Sequence, residues 1–159
     1  MYPSLPTVFA VFGAVLAFLS MSTTALAEAV ADRITVNDPY IRAVPPVVKT
    51  SAAFMQMQNN GDAEYFLVDA STPAAGAVEL HMHTNDDGVM RMRRIPHIHL
   101  PPGKTVSLQP GGLHIMLFDL KAPLNEGIGI PILLTFDDGS QQQITAKVRS
   151  VQHGMKGQH

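Results

Sequence analysis

The chain has no cysteine and no tryptophan in its 159 residues. Without cysteine there is no disulfide framework, no cysteine-based structural zinc site and no thiolate for a blue-copper electron-transfer centre. Charge is also sparse, at 15% of residues with a net charge of −2, so neither a nucleic-acid surface nor a basic membrane-binding face is encoded. No uninterrupted apolar run reaches the ~20 residues that a spanning helix needs. Equally missing are a Ser/His/Asp arrangement, an activated thiol and a carboxylate pair with interpretable spacing, so the chain is not expected to be an enzyme.

What is present begins with an export signal. "TVFAVFGAVLAFLSM" is apolar, polar "STT" follows, and "ALA" ends at Ala27 as a small-x-small cleavage site, so residues 1–27 read as a secretory signal peptide. Because no Lys or Arg precedes Arg33, the amino terminus itself must supply the leading positive charge. Cleavage predicts a mature chain starting at Glu28, exported, soluble and without a membrane span. Beyond it, short strands alternate with turn signals: 34–44, 51–58, 64–71, 77–84, 89–99, 104–109, 113–119, 130–137 and 141–151. The turns include "NNGD", "DDG", "PPGK", "PGG" and "DDGS". About eight or nine short strands predict an all-β sandwich or small barrel over residues 28–151, with a flexible tail at 152–159.

With no thiolate available, a metal would have to be held by His, Met or carboxylate, and the chain has seven His and nine Met. In "GGLHIMLF" the strand period puts His114 and Met116 on one face and Leu113, Ile115 and Leu117 on the other. "VELHMHT" puts His81 and His83 together, and "VMRMRR" puts Met90 and Met92 together, on strands expected to be hairpin neighbours. Imidazole with thioether is a donor set for Cu(I), since thioether is a poor ligand for Zn²⁺, Mg²⁺ or Ca²⁺. Any one of these residues alone reads as core filler or surface histidine. Met55 and Met57 in "AAFMQMQ" are expected in the core, His97 and His99 on a polar outer face, and Arg91, Arg93 and Arg94 on a solvated one.

The spacing of one quartet stands out: His81, ten residues, Met92, twenty-one residues, His114, one residue, Met116. With "VELHMH", "GVMRMR", "LPPGKTVSLQPGGLHIMLFDLK" and "PILLTFDDGSQQQITAKV", it resembles the PCu(A)C periplasmic copper chaperones associated with the Cu(A) centre of cytochrome c oxidase. The resemblance spans about residues 34 to 151. It implies a cupredoxin-like β-sandwich in the periplasm that holds Cu(I) through His81, Met92, His114 and Met116. The acceptor it implies is subunit II of cytochrome c oxidase or another periplasmic copper chaperone. His83 is a possible accessory donor, and so are His153, Met155 and His159 in the tail, where two imidazoles suit Cu(II). Copper storage or resistance, a copper enzyme or redox protein on the same scaffold, and a metal-free exported binding module are the alternatives.

Overall fold

The computed structural model describes residues 28–150, and the expected signal segment 1–27 and expected tail 152–159 lie outside them. One helical turn, α1 (Val30–Arg33), precedes ten strands: β1 (Ile34–Arg42), β2 (Thr50–Asn59), β3 (Tyr65–Ser71), β4 (Ala75–Asp86), β5 (Val89–Arg94), β6 (Ile98–Leu100), β7 (Thr105–Leu108), β8 (Leu113–Leu120), β9 (Gly129–Phe136) and β10 (Gln141–Arg149). All ten belong to one sheet with the order β5-β4-β8-β7-β2-β1-β10-β9-β3-β6, and β2 also pairs directly with β8. The expected all-β architecture is therefore present. Among the described residues no helix is long and apolar enough to cross a membrane.

Period-two burial explains why these segments are strands. In β9 the side chains of Ile130, Ile132, Leu134 and Phe136 are buried and those between them are not. The same core takes Ile115 and Leu117 from β8, Leu80 from β4, and Met55 and Met57 from β2. Burial of each large side chain stabilises the fold by roughly 1.5–3 kcal/mol. Met55 and Met57 are thus core residues, as the sequence suggested.

The stretch 89–99, expected as one strand, is two. Pro96 has no N–H to continue a ladder, and the chain breaks there and crosses from one margin of the sheet to the other. β5 and β6 are consequently the two edge strands. At the start of the described chain, the Val30 N–H donates to Asp138 Oδ2 at 3.0 Å and the Ala31 N–H to Ser140 Oγ at 2.9 Å. The "DDGS" turn therefore caps α1 and fixes the beginning of the domain to the β9–β10 hairpin.

Two registers place the donor residues. The β4–β5 hairpin turns through Asp87 and Gly88, both at positive φ (53° and 85°), with Asp86 paired to Val89. Two left-handed residues make the tight loop that matches strand twist, and the Gly88 N–H donates to Asn85 Oδ1 at 2.7 Å. That loop length sets His83 opposite Met92 and His81 opposite Arg94. On the other side of β4, His81 faces His114 and Glu79 faces Met116.

Candidate metal centre

Strand parity gathers the donors on one face of β5, β4 and β8, opposite the face that Leu80, Ile115 and Leu117 turn to the core. His114 sits between two other imidazoles: its ring centroid is 5.8 Å from that of His81 and 5.0 Å from that of His83. Phe54 of β2, itself buried, covers it from the far side at 6.3 Å. A cavity of about 300 Å³ opens beside this cluster, with His83, Met92, His114, Met116, Phe54 and Arg42 in its wall. His81 does not line it.

Exposure is graded across the patch. His114 is 2% exposed, His81 9% and Met92, on the edge strand, 46%. The imidazoles form the floor and one thioether stands at the margin.

Hydrogen bonds fix which ring nitrogen is free. His114 Nδ1–H donates to the Gly112 carbonyl at 2.9 Å, leaving Nε2 buried with no protein partner. Burial pushes the His114 pKa down, opposed by that carbonyl and helped by the neighbouring His83 and His81, so the ring is held neutral with a lone pair on Nε2. His81 Nε2–H donates to Glu79 Oε2 at 2.8 Å, leaving Nδ1 buried and unpartnered. Its hydrogen bond to His81 holds the Glu79 carboxyl below the usual range, so the acceptor is ionised. A carboxylate or carbonyl behind an imidazole is the arrangement that orients metal-binding histidines.

Buried polar atoms without partners are uncommon in folded proteins, and here His81 Nδ1, His83 Nδ1 and His114 Nε2 fall in one patch. Among the described residues no three His or carboxylate side chains are grouped to hold a metal ion by themselves. A metal bound here would have to draw on thioethers as well. Met92 and Met116 are the ones that share the cavity wall with His83 and His114.

Of the residues singled out from sequence, His81, Met92, His114 and Met116 all lie on this face, with Met92 diagonal to His81 and directly opposite His83. Met90 is exposed further along β5, and Met82 has the opposite strand parity. His97 and His99 are distant, at the other margin of the sheet, where both rings pack on Phe66 (centroids 4.9 and 5.1 Å) and His99 meets Glu64 at 3.0 Å. Arg91 and Arg93 lie against Asp86, and Arg94 lies 3.6 Å from Glu79, on an exposed strand. His153, Met155 and His159 lie outside the described residues.

Two residues escaped the sequence reading. Glu79 was legible, because it precedes His81 by two and so shares its face. Phe54 was hidden by its apolar neighbours, although its parity is opposite to that of Met55 and Met57.

Residues 34–148 match the family described as LpqE-like lipoprotein. A relative named as a lipoprotein, Lxx21020 of Leifsonia xyli, is 34% identical over 120 residues, covering 75% of this chain and 71% of its own. The solution structure of CuI-DR1885 from Deinococcus radiodurans is 32% identical, with a TM-score of 0.62, covering 82% of this chain and 85% of that one. The copper-bound PCuAC domain from PmoF2 has a TM-score of 0.65 at 23% identity, covering 79% of this chain and 99% of that domain, a likeness of fold.

Proposed function

This chain belongs to the LpqE-like family, and from the geometry of the donor face and the likeness to CuI-DR1885 we propose that it is an exported carrier of Cu(I). Copper is held by His81, Met92, His114 and Met116. The observation that carries the reading is the orientation of the two imidazoles. Glu79 and the Gly112 carbonyl take the N–H of His81 and His114, so a free ring nitrogen of each is left on the face that also presents the thioethers. Cu(I) held by the similar CuI-DR1885 supports the choice of cargo.

The chemistry suits an oxidising compartment, because thioethers need no deprotonation and cannot be lost to disulfide formation. Delivery proceeds by ligand exchange. An acceptor His, Met or Cys displaces Met92 first, since it is the exposed donor, and the buried imidazoles last. No bond of a substrate is made or broken, so the protein is a carrier and not an enzyme. The acceptor we propose is the Cu(A) centre of cytochrome c oxidase subunit II, or another periplasmic copper chaperone, and the site of action is the periplasm.

Anaerobic titration with Cu(I) against a chromogenic chelator tests the reading. One equivalent should be retained, and excess Zn²⁺ should not displace it. Absence of Cu(I) binding, or ready replacement by Zn²⁺, overturns the proposal.

A further inference from the structure

The site as proposed uses two imidazoles, yet a third ring, that of His83, lies 5.0 Å from that of His114. We infer that His83 is a copper ligand in its own right, the outward one of two alternative partners for His114. Cu(I) then has an inner position with His81 and an outer position with His83. This rests on the Cu(I)-carrier reading.

Four observations single out His83. Its ring is nearer to His114 than the ring of His81 is, 5.0 against 5.8 Å between centroids. Its Nδ1 is buried and has no hydrogen-bond partner, which is not how a surface histidine on a solvated strand is expected to sit. It lines the cavity together with Met92, His114 and Met116, while His81 lies behind, against Glu79 and Phe118. Finally, Met92 is its direct cross-strand partner, whereas His81 faces Arg94.

The backbone supports the same arrangement. The His83 N–H donates to the Gly112 carbonyl at 3.2 Å, and His114 Nδ1–H donates to that same oxygen at 2.9 Å. One carbonyl therefore positions both residues. Its place is set by the turn at 109–112, where Gly111 takes a positive φ of 82° and the Gly112 N–H donates to the Gln109 carbonyl at 3.0 Å.

The exchange is simple in its bonding. The His83 Nδ1 lone pair forms a bond to Cu(I) as the bond from His81 Nδ1 breaks. No electron or proton moves, and His81 keeps its N–H on Glu79. Copper in the outer position stands at the cavity wall beside exposed Met92. An acceptor then displaces exposed Met92 and cavity-lining His83 first, and of the buried imidazoles only His114, not His81, is left to release the copper.

A double-variant cycle on the full protein tests this, with Cu(I) affinity read by chelator competition. His83→Ala alone should lower affinity by no more than about threefold, because His81 still serves. In a His81→Ala background the same change should lower it by roughly tenfold or more, because His83 is then the remaining partner of His114. In the unmodified protein, ¹⁵N NMR should show the His83 Nδ1 resonance shift on adding one equivalent of Cu(I), a readout that stands even if His81→Ala does not fold. Equal losses in both backgrounds, or an unmoved His83 resonance, overturn the inference while leaving the carrier reading intact. Failure of the unmodified protein to bind Cu(I) overturns both.

Discussion

Met57 and Met116 carry the same side chain to different ends because β2 and β8 are paired and the two residues have opposite strand parity. Met57 is fully buried in the core, while Met116 is half-buried on the donor face opposite Ala52. Met57→Ala should therefore cost about 2–5 kcal/mol of stability and leave Cu(I) affinity unchanged. Met116→Ala should do the reverse, lowering Cu(I) affinity by about tenfold or more with little change in the apo melting temperature. Paired melting curves and chelator competition check both. A second residue-scale test concerns acid. Arg149 hydrogen-bonds Asp38 (Nη1 to Oδ2, 3.0 Å) and holds its carboxyl below the usual 3.8. A depressed carboxylate contributes stability that is present above pH 3.8 and is lost as the pH falls through the lower folded value. Asp38→Asn should melt slightly below the unmodified protein at pH 6, and the gap should close under pH 3.8. At this scale much was legible. Parity alone separates His114 and Met116 from Leu113, Ile115 and Leu117, and joins Glu79 to His81. What parity does not supply is the identity of the cross-strand neighbour, so the placing of Met92 against His83 was not legible from "VMRMRR".

That neighbour is decided by the hairpin. Asp87-Gly88 as a two-residue loop pairs Asp86 with Val89, and every later pair in the β4–β5 ladder follows from it. The dipeptide is visible in the sequence as a turn. Its loop length is not, because "NDDG" offers several ways to turn until Asn85 Oδ1 takes the Gly88 N–H. Gly88→Ala forces a side chain into a left-handed conformation and should cost about 1–2 kcal/mol. It should also weaken Cu(I) binding if the hairpin shifts, read by melting and by chelator competition on one sample. The division of 89–99 into two edge strands was foreshadowed by Pro96, but only the sheet order shows the chain crossing from one margin to the other. Edge strand β5 carries Arg91, Arg93 and Arg94, which discourage pairing with another chain's edge while leaving Met92 accessible.

At the scale of the whole molecule, the prediction is processing: intact mass of the exported protein should place its first residue at or near Glu28, and retention of "FAVFGAVLAFL" would mean an anchored protein. At the other end, Arg149 of β10 pairs with Arg42, which lines the cavity. A variant ending at Val151 should keep its Cu(I) and lose Cu(II) binding measured by EPR; unchanged Cu(II) stoichiometry would remove the tail from copper handling. The parallel union of β1 with β10 has a further consequence, one of timing. The first and last strands lie side by side, and α1 is capped from 108 residues away. Such non-local closure folds slowly, since loop entropy is lost before contacts reward it. A chain delivered from its amino terminus can shape the β4–β5 hairpin early, but the sheet around it stays open until β10 has emerged. In the exported carrier proposed above, the polypeptide would remain threadable during transit, and the sheet that supports the donor face would close only once β10 has emerged.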